Sequence, residues 1–177
     1  PVNRLNGIPA TALIEPAAHP TITVIRARPG PSLDAVLEVR RRVFSDEQGM
    51  VDGRVTDQDD GRGVHALAYW DQTGRAEPVG TGRLILGAGD RGEALVSWVA
   101  TLPEARRHGV GREIMRFLID CAEASGAPLV ALAAQTHAEL FYRKLGFVGT
   151  GRAYLVRGVE HRWMVRRNYR HSLRQSG

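Results

Sequence analysis

Within Val99 to Arg112 an apolar stretch runs into Arg106, Arg107, His108, Gly109, Val110, Gly111 and Arg112, an Arg-x-x-Gly-x-Gly turn ahead of helical periodicity. The first N–H groups of a helix lack intrahelical partners and sit at the positive end of its dipole, so an anion there is both hydrogen-bonded and attracted. Gly109 and Gly111 present no Cβ to hold a ligand off, and Arg106, Arg107 and Arg112 add fixed positive charge. Phosphate binding is the chemistry these residue types suit. The pattern is neither a Walker A loop nor the Gly-x-Gly-x-x-Gly dinucleotide fingerprint, and an ordinary glycine-rich turn has the same composition.

A second constellation follows downstream: Gln135, Thr136, His137, Ala138, Glu139, Leu140, Phe141, Tyr142, Arg143, Lys144, Leu145, Gly146 and Phe147. The two motifs, in this order and at this spacing, resemble the GCN5-related N-acetyltransferase (GNAT) family over roughly Thr23 to Arg166. The resemblance implies acetyl-CoA as cosubstrate. It places the pyrophosphate on the backbone N–H groups from Arg106 to Arg112, including His108 and Val110. The pantetheine arm would pair with Val99 and Thr101, and an N–H beside Ala100 or Thr101 would stabilise an oxyanion. Tyr142 takes the position of the general acid, with small Ala138 leaving room beside it. Gln135 stands where the family often carries Asn.

Further matches are Arg40 with Val43 and Phe44, Glu47 with Gln48, Asp57 and Asp59, His65, and Gly158 to Met164. They resemble the ElaA-like and YjcF-like branch, with Asp57 replacing an expected glutamate. On that basis Arg40, Phe44, Glu47, Gln48 and His65 are expected at the acceptor site. The acidic segment is also similar to that of acyl-homoserine-lactone synthases. A general base must come within about 3 Å of its proton or act through one water. His65, His137, His161, Glu47, Glu93 and the Asp57, Asp59, Asp60 cluster are all chemically capable. His137 and His161 rank first, because histidine suits neutral pH and His137 adjoins the Tyr142 helix.

Composition narrows the classes. The chain has 177 residues, 43% apolar and 24% charged, as expected of one soluble domain. No apolar run reaches the roughly 20 residues of a bilayer span and no signal pattern opens the chain, so a cytoplasmic location and no membrane partner are expected. Cys121 is the single cysteine, so an intrachain disulfide and a cysteine metal cluster are excluded. It shares a helical stripe with Ile114 and Leu118, the position of a packed thiol. The Asp57, Asp59, Asp60 spacing does not match an EF-hand, and no metal is expected. Net charge is +5, from arginine apart from Lys144. That surface suits a polyanion such as coenzyme A or nucleic acid. In the Arg166, Arg167, Arg170, Arg174 tail only Tyr169 offers a ring, which speaks against single-strand recognition.

The elements that would position these groups form an α/β domain: a mixed, mostly antiparallel central sheet flanked by helices. Residues 1–21 read as a leader or linker, 22–166 as the domain and 167–177 as a basic tail. A strand at Ile22–Ala27 precedes a helix capped by Ser32, its stripe formed by Leu33, Val36, Leu37, Val43 and Phe44. Gln48–Gly63 reads as a solvated loop. Strands follow at Val64–Trp70, Val79–Leu86 and Ala94–Thr101, then a helix from Gly109 to Ala124. Leu129–Ala134 suits a strand buried on both faces. Thr136 and Glu139 form a capping box for a helix from His137 to Gly146, and strands at Phe147–Leu155 and Glu160–Val165 complete the sheet. The proposed chemistry is acetyl transfer to a small-molecule amine. Transfer of a longer acyl chain to an amino acid derivative, a non-catalytic acyl-CoA sensor, a nucleic-acid module and homodimerisation remain open at this point.

Overall fold

The computed structural model describes residues 21–50, 53–71 and 76–168. Residues 1–20, 51–52, 72–75 and 169–177 lie outside them, and with them nearly all of the expected leader and basic tail. Among the described residues seven strands form one sheet: β1 Thr21–Ala27, β2 Val64–Asp71, β3 Ala76–Ile85, β4 Ala94–Thr101, β5 Leu129–Gln135, β6 Val148–Val156 and β7 Val159–Arg167. Their spatial order is β1-β2-β3-β4-β5-β7-β6, antiparallel throughout except for the parallel β4–β5 pair. Helices α1 Pro31–Arg40, α2 Val110–Ala124 and α3 Glu139–Lys144 flank it. The expected class is borne out.

Strand β2 shows why both faces of the sheet are covered. Side chains alternate across a strand, so Leu67 and Tyr69 join Ala27 and Val36 of α1 in one cluster. Val64, Ala66, Ala68 and Trp70 turn to the other side, into the main core with Ile114, Met115 and Leu118 of α2. Helix α2 approaches β3 closely because Gly80 and Gly82 carry no side chains. A Cβ at Gly80 would lie 2.7 Å from Ile114 Cδ1 and 2.8 Å from Val110 Cγ1. Cys121 is half-buried beside this core, and burial pushes its thiol pKa up.

Local readings differ from the structure in four places. Gly30, at φ 104°, is the N-cap of α1, while the Ser32 hydroxyl accepts from the Arg28 N–H at 2.9 Å and donates to its carbonyl at 3.0 Å. The helix beyond Arg40 widens into a π-helical segment, Arg41–Glu47, with the Gln48 N–H reaching the Val43 carbonyl at 3.0 Å. The capping box does not form: Thr136–Ala138 is a 3₁₀ turn, and α3 starts at Glu139. Glu139 instead meets Arg143 at 3.3 Å and Arg162 at 3.0 Å. Strand β5 is buried on one face only, with Ala133 exposed on the other.

Beside that open face β4 and β5 part. Their register covers only Ala94 with Val130, Leu95 with Ala131 and Val96 with Leu132, although β4 continues to Thr101 and β5 to Gln135. The divergence coincides with a bulge in the β3–β4 ladder, where Thr81 faces Ala100 but Arg83 faces Ser97. Within it, Trp98 takes φ 54°, a left-handed conformation uncommon for a large residue.

Adding one methyl at the α2–β3 contact tests the close packing. Gly80→Ala is expected to cost about 1–3 kcal/mol through overpacking, read as a lower urea midpoint at unchanged slope. An unchanged midpoint would mean that the helix does not need this approach.

Candidate active site

Strand β4 leads through Leu102 and a 3₁₀ turn at Pro103–Ala105 into the glycine turn. Arg107 takes φ 66° and Gly109 φ 92°, so the chain reverses sharply just before α2. The Glu113 N–H makes an early helical bond, to the Gly109 carbonyl at 3.1 Å. The preceding N–H groups of Val110, Gly111 and Arg112 belong to the first turn, where no carbonyl lies one turn back to receive them. A Cβ on Gly111 would meet Phe141 Cζ at 3.4 Å and Thr101 Oγ1 at 3.6 Å, so side-chain bulk there would fill the space between α2, α3 and β4. The His108 ring packs against Trp70 with centroids 4.6 Å apart and steadies the turn. This cradle fits a phosphorylated ligand.

From the cradle a cleft of about 1640 Å³ runs through the gap between β4 and β5. It exceeds the roughly 300–1,000 Å³ of a single small-ligand pocket and so has room for a long cosubstrate and an acceptor. Strand alternation continues toward the gap: the Leu102 N–H donates to Val79 at 2.8 Å on the β3 side, so those of Thr101 and Val99 turn toward β5. Val99, Ala100, Thr101, Arg106, Arg107, His108, Gly109, Val110, Gly111, Arg112, Gln135, Ala138 and Tyr142 all line this one cleft, with His137 and His161.

Tyr142 lies in α3 with its ring edge-on to Phe141 at 5.0 Å and Phe147 at 6.0 Å. Burial pushes its phenol up to about 12, so it keeps its proton across the physiological range. Strand register puts His161 of β7 directly opposite Gln135 of β5. His161 Nδ1 lies 2.8 Å from the Val159 carbonyl. With Nδ1–H donating there, Nε2 carries the lone pair. His137 sits exposed in the 3₁₀ turn before α3. Across the mouth, Gln135 Nε2 donates to Gln48 Oε1 at 3.2 Å.

Of the residues expected at the acceptor site, Phe44, Glu47 and Gln48 reach the cleft and Arg40 and His65 do not. Arg40 is fully buried, donating to Asp60 Oδ1 at 2.9 Å and to the Val55 carbonyl at 3.0 Å. His65 is buried beside it, its Nδ1 3.1 Å from Arg40 Nη2 and its Nε2 2.9 Å from the Asp60 carbonyl. Both hold the scaffold. Glu47 is in the cleft but takes a bidentate grip from Arg106, 2.7 Å at Nη1 to Oε1, which lowers its carboxyl pKa. Arg106 also donates to the Thr101 carbonyl at 3.0 Å, so its charge is already directed. Glu93 belongs to the β3–β4 turn, where it accepts from the Arg91 N–H at 2.9 Å.

The acidic loop is not solvated. Buried Arg83 donates to Asp57 Oδ2 at 2.9 Å and to Asp60 Oδ1 at 2.6 Å. Asp57 Oδ2 in turn accepts from Trp98 Nε1 at 3.0 Å. The Trp98 ring lies edge-on to Phe44 at 5.1 Å, with the Arg40 guanidinium 4.9 Å from its centroid. The left-handed residue of the bulge is thus clamped from three sides. The Arg83 hydrogen bond holds the Asp57 carboxyl well below the usual range. Burial alone would raise Asp60, but the Asp57 N–H and both guanidiniums bring it below its ordinary value. Among the described residues no cluster of His, Cys, Asp and Glu could hold a metal. Sequence reading assigned no role to Arg83, Trp98 or the cleft-lining Val156, Val159 and Trp163 of the β6–β7 hairpin, although Val159 and Trp163 fall within the Gly158–Met164 match. The run of exposed apolar residues around Gly158 is the signal that could have found the last three.

Residues 62–149 match the family described as Acetyltransferase (GNAT) domain. The chain is 31% identical over 129 residues to the uncharacterized N-acetyltransferase YjcF of Bacillus subtilis, covering 72% of this chain and 87% of that one. Over 138 residues it is 30% identical to YyaT of the same organism, covering 76% and 88%. Escherichia coli ElaA is similar in structure, with TM-score 0.68 and 25% identity over 83% of this chain and 99% of that chain. An acyl-CoA N-acyltransferase from Pseudomonas aeruginosa gives TM-score 0.62 and 25% identity, again over 83% and 99%.

The buried network makes stability fall in acid. Burial lowers the His65 pKa, so its contribution is complete above the unfolded value of about 6.5 and is lost as pH falls below it. Asp57 and Asp60, also lowered, contribute fully above about 4 and lose that contribution below it. Urea midpoints from pH 8 to 3 should therefore decline in two stages, with His65→Gln flattening the first. A flat wild-type profile would contradict the network.

Proposed function

Since the chain belongs to the GNAT acetyltransferase family, an acyl-CoA-dependent acyltransferase family, we propose that it transfers an acetyl group from acetyl-CoA to the primary amine of a small molecule. The attack is direct, within a ternary complex. Likeness to ElaA and YjcF supports placing it in their branch. One observation carries the reading: the glycine cradle opens directly onto the parted β4–β5 edge, with Tyr142 and the oriented His161 on the same cleft.

The first-turn N–H groups of α2, with Arg107 and Arg112, hold the phosphates, and the free edge of β4 takes the pantetheine arm as an added strand. The thioester supplies an activated acetyl group. The Thr101 N–H, on the gap side of β4, supports charge developing on the acetyl oxygen, whereas the Ala100 N–H turns to β3. As the amine nitrogen bonds to the carbonyl carbon and the C–S bond breaks, the surplus amine proton passes to His161 Nε2. The sulfur leaves with its electron pair. Tyr142 stabilises it as a hydrogen-bond donor rather than by full transfer. Its pKa of about 12 stands above that of an ordinary thiol, about 8.5, which makes complete proton transfer uphill. The proton held at His161 Nε2, relayed through solvent, then restores the free thiol and returns the imidazole to its neutral form.

Amine-dependent thiol release from acetyl-CoA tests this reading, and its absence across primary amines would refute it. Acetyl-CoA at about 100 times Kd should stabilise the fold by about 2.7 kcal/mol. Gly111→Glu should remove that thermal shift, because bulk and negative charge enter the cradle; a retained shift would move the site elsewhere. Tyr142→Phe should lower kcat by about 10- to 100-fold with a smaller change in KM for acetyl-CoA. Equal kcat would reduce Tyr142 to a packing residue.

A further inference from the structure

The hairpin side of the cleft has a chemistry to which the sequence motifs assigned no role. On the β6–β7 hairpin, Val156 is 40% exposed, Val159 39% and Trp163 42%, and all three line the cleft. Val156 and Val159 are paired, and Trp163 lies two positions beyond His161 on the same face of β7. Its neighbour across β5 is Ala133, too small to cover the indole. Exposed apolar groups gathered beside a cleft mark a ligand surface rather than a solvated one. The charges point the same way. Among the described residues lining the cleft, Glu47 is the one carboxylate, and Arg106 already holds both its oxygens. The Asp57, Asp60 group that would attract a second cation is consumed by Arg40 and Arg83 outside the cleft.

Resting on the acetyl-transfer reading, we propose that the acceptor is a primary monoamine with an apolar, aromatic body. Its ring lies against Trp163, and its nitrogen is directed toward His161, two positions along the same face of β7. A diamine would bring a second ammonium to a face without a free counter-charge, and desolvating it there is unfavourable. A free amino acid would bring a carboxylate to the same apolar surface.

Initial rates of thiol release from acetyl-CoA by the full chain, with 2-phenylethylamine, 1,5-diaminopentane and phenylalanine, test the proposal. The kcat/KM for phenylethylamine should exceed both others by at least about tenfold. Trp163→Ala should abolish that preference and Trp163→Phe should keep it, with the acetyl-CoA thermal shift unchanged in both variants. A faster diamine or amino acid, or a preference that survives Trp163→Ala, overturns the proposal while acetyl transfer stands. No thiol release with these three or with any other primary amine refutes acetyl transfer itself and this proposal with it, and release only with amines outside the three overturns this proposal alone.

Discussion

Everything in the cleft depends on a sheet that stops pairing in its middle. Backbone N–H and C=O groups inside a protein must be hydrogen-bonded, yet β4 and β5 are in register at three positions only and then separate. The separated edges line the cleft instead of forming a ladder, and they remain competent to pair with an extended ligand. The bulge at Trp98 sets this geometry, because an extra residue on one strand raises local twist and turns the chain away from its neighbour. Trp98 stands at φ 54°, and its indole is held by Asp57, Arg40 and Phe44. Strain at a functional backbone persists where the surroundings overdetermine it.

Charge is distributed to the same end. Two buried arginines and two aspartates are spent on fastening the segment before β2 to the underside of the bulge. Removing one partner would strand a buried charge, a loss of about 3–5 kcal/mol in comparable cases. Glu47 and Arg106 tie the π-helical segment to the end of β4 in the same way, aided by Arg42 and Glu104 at 2.9 Å. The outcome is a cleft with positive potential at the cradle and an apolar face at the hairpin. One end suits phosphates and the other a largely uncharged body.

What could be read from the sequence was what is locally determined. Gly109 and Gly111 before an amphipathic run announce a helix N-terminus, and α2 begins at Val110. Arg157 at φ 51° and Gly158 at φ 80° likewise make a tight turn in the gap left between the last two expected strands. The misreadings concern partners distant in sequence. Asp57 and Asp60 look solvated until Arg83, more than twenty residues on, is brought beside them. Arg40 and His65 look available for substrate until the acidic loop folds over them. Thr136 and Glu139 have the capping-box spacing, but Arg162 from β7 competes for the carboxylate. The parting of β4 from β5 has no local signature, since both read as ordinary apolar strands.

Backbone amide chemical shifts followed by NMR through a titration with acetyl-CoA test the central claim most directly. The account predicts that the largest changes fall on Val99, Thr101, Val110, Gly111 and Arg112, tracing the free edge of β4 into the first turn of α2, while amides of β1 and β2 hold still. Changes confined to other surfaces, with the amides of β4 and the α2 N-terminus unmoved, would contradict it.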